Sequence, residues 1–106
     1  MKPVAEILSF EGCPNRDGAV ALVECVCREL GIEVELRLVD VPDPQAAERE
    51  RFLGSPTIRI NGRDVEPGAS ERNEFVLACR VYRTERGTSG LPAEDLLRAA
   101  LQQATT

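Results

Sequence analysis

Cysteine is the residue type in this chain that can supply covalent chemistry. Four cysteines are present, Cys13, Cys25, Cys27 and Cys79, and there is no histidine. The absence of histidine excludes Ser-His-Asp and Cys-His catalysis, and it also excludes histidine-ligated metal sites. The chain has a single lysine, Lys2, so a buried Schiff-base lysine is not expected. The chemistry must therefore depend on thiols, carboxylates, arginines or backbone groups.

Cys13 lies where local structure alone can activate a thiol. It belongs to residues 10–16 (FEGCPNR), where an apolar strand gives way to a helix that favours Pro14 as its first residue. The unpaired N–H groups and the positive end of the helix dipole stabilise a thiolate, and Arg16 adds positive charge nearby. We interpret Cys13 as a reactive thiol; the alternative is a small apolar side chain that fills space beneath a loop.

The other cysteines do not form a metal-binding pattern. No Cys-x-x-Cys pair is present. Cys25 and Cys27 are two residues apart, so on a helix their side chains point about 200° from each other, with Cys27 on the apolar face. A zinc site is therefore not expected. In a chain without a secretory signal, cysteines are more often free, catalytic or metal-binding than paired in a disulfide framework.

The elements that position Cys13 follow from hydrophobic periodicity. Residues 4–10 form an apolar run suited to a buried central strand, and the helix after Cys13 is predicted to continue to about Leu30, where Gly31 ends it. Residues 33–41 form a second strand, which the intervening helix makes parallel to the first. One face of the helix is apolar at helical spacing: Ala19, Val20, Val23, Val26, Cys27 and Leu30.

The second half of the chain completes a small α/β domain. Asp43 caps a short helix, with Pro44 just inside it, that is predicted to end near Gly54. Residues 55–62 are predicted as a proline-started strand that ends in an Asn-Gly turn, the strongest short hairpin signal. Residues 92–104 are predicted as the last helix. The order is β-α-β-α-β-β-α, an α/β fold with a four-stranded mixed sheet and helices on both faces.

Residues 63–91 allow two predictions for the fourth strand. Residues 70–77 are predicted as a capped helical turn, and residues 84–90 as a loop. The fourth strand is then either residues 79–83 or residues 64–66.

Length, composition and charge bound the class of protein. The 106 residues predict a single domain, residues 1–106, of which 42% are apolar. The net charge of -5 at pH 7 argues against a nucleic-acid partner, whose phosphates would be met by a basic surface. The chain shows no signal peptide and no apolar stretch of about 20 residues, so we expect a cytoplasmic protein without a membrane partner.

The motifs around Cys13 and Pro56 resemble those of the thioredoxin-fold superfamily. Cys13-Pro14 at a strand–helix junction and Gly54-Ser55-Pro56-Thr57 before the third strand are similar to those of glutaredoxin-like members, whose motif is Cys-Pro-x-Cys. More narrowly, the chain resembles small bacterial thioredoxin-like proteins with a Gly-Cys-Pro-Asn motif. The resemblance covers residues 4–61 and 92–104 and leaves residues 63–91 as an atypical hairpin or insert.

The resemblance implies both a geometry and an activity. It implies a cis Ser55–Pro56 peptide bond beside a reactive Cys13. The implied activity is thiol–disulfide exchange on a small thiol or a protein disulfide, with no bound cofactor. The residues implied to stabilise the thiolate or to bind substrate are Pro14, Arg16, Ser55, Pro56 and Thr57.

The chain departs from the family motif at Arg16, where a dithiol enzyme carries the second, resolving cysteine. Three interpretations follow. In the first, Cys13 works as a monothiol that glutathione or another small thiol resolves as a cosubstrate. In the second, Cys79 resolves it. In the third, the domain is a non-catalytic thioredoxin-like binding module that captures a soft metal or an organometal through Cys13.

Cys79 is the in-chain partner left by elimination, because the two helical cysteines are either buried or too distant. A disulfide needs Cα atoms within about 7 Å. If residues 79–83 form the fourth strand, Cys79 starts at the far end of the sheet and cannot reach Cys13. If residues 64–66 form it, the segment that follows returns over the Cys13 end and can deliver Cys79. The alternative role of Cys79 is half-buried packing.

Other polar residues have weaker claims to a role. Glu11 could carry a proton, although a solvated loop carboxylate explains it as well. Arg63 and Asp64 are interpreted as polar residues of a hairpin. Arg80 and Arg83 either hold a carboxylate-bearing thiol or line the wet face of a strand.

Overall fold

The structure of the protein is a computed structural model that describes residues 2–105. It is an α/β fold with a four-stranded mixed sheet and a separate two-stranded hairpin, so the predicted fold class is confirmed at this level. The strands are β1 (Val4–Ser9), β2 (Glu35–Asp40), β3 (Thr57–Ile60), β4 (Arg63–Asp64), β5 (Tyr82–Thr84) and β6 (Gly87–Ser89). The helices are α1 (Arg16–Leu30), α2 (Pro44–Arg49) and α3 (Glu94–Ala104), with a 3-10 turn at Ala69–Glu71. None of these helices is long and apolar enough to cross a membrane.

The four-stranded sheet has the strand order β2-β1-β3-β4. β1 and β2 run parallel, as predicted for two strands joined through α1, whereas β1 and β3 are antiparallel, with Leu8 opposite Thr57. β3 and β4 form a hairpin whose turn residues Asn61 and Gly62 have φ angles of 51° and 83°. Positive φ at both turn positions is the geometry that Asn-Gly favours, and the predicted hairpin is confirmed. The fourth strand is therefore β4, and its assignment to residues 79–83 is wrong.

Two apolar clusters form the core, one on each face of the sheet. Successive residues of a strand point to opposite faces. Ala5 and Ile7 of β1 pack with α1 and α3, and Leu8 packs with residues of α2. Of the predicted apolar face of α1, four residues are buried and two are partly buried: Ala19, Val23, Val26 and Cys27, then Val20 and Leu30.

The turn between β1 and α1 is longer than predicted. Asn15 precedes the first helical residue, Arg16, and its φ and ψ of -106° and 3° are not helical. The first helical hydrogen bond runs from the Ala19 N–H to the Asn15 carbonyl oxygen, at 2.9 Å. Pro14 therefore lies before the helix and is not its first residue. Cys13 also lies in this turn.

α2 begins as predicted and ends early. The Asp43 carboxylate accepts a hydrogen bond from the Ala46 N–H at 2.8 Å, which confirms the predicted cap. The helix ends at Arg49, several residues before the predicted end near Gly54. The chain turns there because Arg51 has a φ of 54°, and the turn directs the fully buried Phe52 into the core.

Residues 65–91 differ most from the prediction. The predicted helical turn at residues 70–77 is limited to the 3-10 turn at Ala69–Glu71. The predicted loop at residues 84–90 contains β6, which pairs antiparallel with β5. This prediction was wrong because all three residues of β6 are exposed and none is apolar, so the strand has no hydrophobic alternation.

Candidate functional site

Cys13 lies at the carboxyl end of β1, in the turn that leads into α1. Its N–H donates a hydrogen bond to the Phe10 carbonyl oxygen at 3.2 Å, which closes the turn. The residue is partly exposed and its thiol is free. A shallow depression opens beside it, lined by Phe10, Glu11, Gly12, Cys13, Arg16, Asp17 and Asp40. The Cys13 thiol is therefore partly accessible, and its reactivity stays a prediction.

The charges around Cys13 are mixed. Arg16 is the one cationic residue that lines the depression, and three acidic residues line it as well: Glu11, Asp17 and Asp40. The Arg16 Nε atom lies 3.7 Å from an Asp17 carboxylate oxygen, and both side chains are at least half exposed. The Arg16 guanidinium therefore interacts with Asp17 as well as with the groups in the depression, and water and salt screen both interactions. Arg16 is therefore not a dedicated partner of Cys13.

Ser55, Pro56 and Thr57 are buried, although the resemblance implied that they bind substrate. The Thr57 hydroxyl donates to the Gly54 carbonyl oxygen at 2.6 Å and accepts from the Arg80 guanidinium at 3.2 Å. Its hydrogen-bonding capacity is used within the fold. These three side chains do not face solvent, because residues 76–82, called here the covering segment, lie over them.

The covering segment is held to residues 52–56 mainly by backbone hydrogen bonds. The Ser55 N–H donates to the Ala78 carbonyl oxygen at 2.8 Å, and the Arg80 N–H donates to the Ser55 carbonyl oxygen at 2.9 Å. A further bond joins the Val76 N–H to the Phe52 carbonyl oxygen at 3.1 Å. Both backbone polar groups of Ser55 are therefore paired.

Cys79 is brought to the Cys13 end of the sheet by this segment. It forms an isolated parallel bridge with Ser55. Because Leu8 is opposite Thr57, the turn after β1 and the residues before β3 lie at the same end of the sheet. The Cys79 thiol is free and exposed, so half-buried packing is the wrong description of this residue.

The two cysteines of α1 lie away from this end of the sheet. Cys25 is exposed and Cys27 is buried, as the helical spacing predicts. Burial raises the pKa of the Cys27 thiol, and Glu24 raises it further. A thiol with a raised pKa is a poor nucleophile at neutral pH.

Arg80 anchors the covering segment from inside the protein. Its side chain is 0% exposed, and its guanidinium donates to both Asp64 carboxylate oxygens, at 2.7 and 3.0 Å, and to Glu66 at 3.0 Å. Burial alone would lower the Arg80 pKa, but the carboxylates, Asp64 above all, outweigh it and raise the pKa, so the group is cationic. Neither predicted role of Arg80 fits this position, since its side chain is buried and its guanidinium is bound to Asp64 and Glu66.

Sequence reasoning missed this anchor and its partners. Asp64 lies in the β3–β4 hairpin, as the sequence predicts, but it is also the main acceptor for Arg80 across 16 positions of sequence. Tyr82 belongs to the same cluster: its ring lies 4.4 Å from the Arg80 guanidinium carbon, and its hydroxyl donates to the Pro56 carbonyl oxygen at 2.6 Å. No periodic or motif signal marks these residues. Their roles depend on the path of the covering segment.

Two buried polar atoms beside the Ser55–Cys79 bridge have no hydrogen-bond partner within the described residues. They are the Ser55 hydroxyl oxygen and the Arg80 Nε atom. Over residues 2–105, no group of three or more His, Cys, Asp or Glu side chains is arranged to hold a metal ion. This end of the molecule presents two accessible thiols, Cys13 and Cys79.

Comparison with protein-family models and with curated protein sequences finds no match to this chain.

Proposed function

We propose that this protein is a thiol-dependent oxidoreductase with a thioredoxin-like arrangement, in which Cys13 is the attacking thiolate. The observation that carries the proposal is the placement of two free, accessible thiols, Cys13 and Cys79, at one end of the sheet. The strand order and the turn between β1 and α1 also support it. The proposed arrangement includes the cis Ser55–Pro56 peptide.

The proposed reaction is thiol–disulfide exchange. The Cys13 thiolate attacks one sulfur of a substrate disulfide, a mixed disulfide forms, and the other substrate sulfur leaves as a thiolate that takes a proton from water. A second thiolate then breaks the mixed disulfide. If an external small thiol such as glutathione breaks the mixed disulfide, Cys13 is released as a free thiolate. If Cys79 breaks it, a Cys13–Cys79 disulfide forms, and an external thiol or dithiol must then reduce that disulfide.

Site-resolved alkylation tests the first step. The full chain is treated with iodoacetamide at pH 7, and the extent of reaction at each cysteine is followed by peptide mass spectrometry. Cys25 is the internal reference, because it is an exposed thiol on the same molecule. We expect Cys13 to react faster than Cys25, because the proposed attacking thiol must be more reactive than an ordinary exposed thiol. Equal rates would contradict an activated Cys13.

Reaction with glutathione disulfide separates catalysis from binding. We expect a mixed disulfide on Cys13 that Cys13→Ser abolishes and that the matched control Cys25→Ser retains. Cys79→Ser then distinguishes the two resolving routes: a persistent mixed disulfide assigns resolution to Cys79, and unchanged turnover assigns it to the external thiol. If Cys13 neither forms the mixed disulfide nor outpaces Cys25, the oxidoreductase proposal is wrong.

A further inference from the structure

A groove separate from the two thiols is lined by arginines. It lies between the turn that follows α2 and the segment that follows β4, and it has a volume of about 340 Å³. Its size falls within the range of small-molecule sites in proteins. Four arginines line it: Arg51, Arg59, Arg63 and Arg72. We call it the arginine groove.

Three of these arginines have no carboxylate partner within residues 2–105. Arg72 is paired with Glu66 at 2.8 Å. The Arg59 guanidinium instead donates to the backbone carbonyl oxygens of Glu50 and Arg51, which fixes it in place without neutralising it. Three acidic residues also line the groove: Asp64 and Glu66, which are bound to the buried Arg80, and Glu50. The arginine groove thus concentrates positive charge in a chain whose net charge is -5.

Arg51 occupies a backbone position that suits glycine better than arginine. Its N–H donates to the Glu48 carbonyl oxygen at 3.1 Å, and the Phe52 N–H donates to the Ala47 carbonyl oxygen at 2.8 Å. This is the pattern that ends many helices with glycine at the left-handed position, and Arg51 has a φ of 54° there. The chain therefore carries a side chain at a position where a Cβ atom is sterically unfavourable.

The Arg51 side chain is directed to the arginine groove. Its guanidinium carbon lies 4.9 Å from the centroid of the Phe75 ring, and both residues line the groove. Stacking on an aromatic ring orients a guanidinium while leaving its N–H groups available to a ligand. The strained backbone and the stacked side chain are two separate observations that concern the same residue.

We propose that the arginine groove binds a small organic molecule that carries a phosphate group. Guanidinium groups donate paired hydrogen bonds that match phosphate oxygens, and a phosphate monoester carries about 1.5 to 2 negative charges at pH 7. Three cations without carboxylate partners are suited to such a charge. Phe75, which is partly exposed, also lines the groove and offers apolar surface to the organic part. This site is independent of the proposed thiol chemistry.

Isothermal titration calorimetry of the full chain in 50 mM salt tests the proposal. The probes are adenosine monophosphate, adenosine, pyrophosphate and citrate. We expect saturable binding of adenosine monophosphate, no binding of adenosine, and at least tenfold weaker binding of pyrophosphate and citrate. Comparing adenosine monophosphate with adenosine isolates the contribution of the phosphate. Comparing it with pyrophosphate and with citrate distinguishes an organic phosphate from an inorganic phosphate anion and from a carboxylate.

Arg51→Gly is the decisive variant, because glycine keeps the backbone geometry and removes the guanidinium. We expect it to weaken adenosine monophosphate binding at least tenfold while the melting temperature is unchanged or higher. Arg86→Ala, at the exposed turn between β5 and β6, is the matched control and should bind as the wild type does. The proposal is overturned if adenosine monophosphate does not bind, if citrate or pyrophosphate binds as tightly, or if the two variants lose affinity equally.

Discussion

Replacing Arg80 with methionine tests whether the buried ion cluster anchors the covering segment. Methionine keeps much of the apolar volume of the side chain and removes the guanidinium. Asp64 and Glu66, whose side chains are only 11% and 19% exposed, then lose their buried partner. Removing one member of a buried ion pair costs about 3–5 kcal/mol. Because Glu66 keeps its contact with Arg72, we expect the lower value, about 3 kcal/mol.

Urea unfolding followed by circular dichroism measures this loss. A domain of this size has a free energy of unfolding of about 5–15 kcal/mol, so the variant should still fold. With an m value between about 1 and 2 kcal/mol per molar urea, the unfolding midpoint should fall by about 2 M. The double variant Arg80→Met/Asp64→Asn should recover part of this loss, because it leaves one fewer unpaired carboxylate.

Arg98→Met is the matched control for Arg80→Met. Arg98 also faces three carboxylates, those of Glu29, Glu94 and Asp95, but their side chains are at least half exposed. Water replaces these contacts when the guanidinium is removed, so the midpoint should barely change. Equal losses in the two variants would refute the argument that burial makes the Arg80 cluster important. A double variant no more stable than Arg80→Met would refute the role of Asp64.

Two further predictions concern Gly54 and Tyr82, residues that lie against Arg80. Gly54→Ala should lower the free energy of unfolding by about 3 kcal/mol, because Gly54 has a φ of 128° and a Cβ atom would lie 2.8 Å from the Arg80 Cβ. The control Gly12→Ala should lower it by only about 1 kcal/mol, because Gly12 has a φ of 85° but a Cβ atom there would meet no atom within 4 Å. Similar losses for the two variants in urea unfolding would show that contact with Arg80 is unimportant. Burial raises the pKa of the Tyr82 hydroxyl, whereas the unfolded hydroxyl ionises near pH ~10. The neutral Tyr82 hydroxyl therefore stabilises the fold fully below pH ~10, and this contribution is lost as the pH rises above that value. Between pH ~9 and ~11 the free energy of unfolding of the wild type should fall by about 1–1.5 kcal/mol relative to that of Tyr82→Phe. Parallel curves of stability against pH for the two proteins would contradict this.

The elements that depend on local signals could be predicted from the sequence. The Asp43 cap, the Gly31 helix end and the Asn61-Gly62 turn each depend on the conformational preference of one or two residues, and each lies where the sequence predicts. The parallel pairing of β1 with β2 follows from the helix between them. These features need no knowledge of distant parts of the chain.

The covering segment could not be predicted, because its structure depends on residues far away in sequence. Its backbone pairs with Ser55, and its one buried charge, Arg80, meets Asp64. An arginine between Cys79 and Val81 gives no local sign that it is buried, since arginine is rarely buried without a partner. The presence of Cys13 in an accessible turn could be predicted, whereas the burial of Pro56 beneath this segment could not.

Because of the backbone pairing at Ser55, the stability of the fold does not depend on which side chain residue 79 carries. The two hydrogen bonds of the bridge use the Ala78 carbonyl and the Arg80 N–H, so the Cys79 side chain takes no part in them. That side chain is exposed, and a single substitution at this position would leave the backbone bonds intact. In evolutionary terms, a thiol at position 79 can be gained or lost in one step without an unstable intermediate. The side chain at position 79 is therefore free to serve chemistry without a cost to folding.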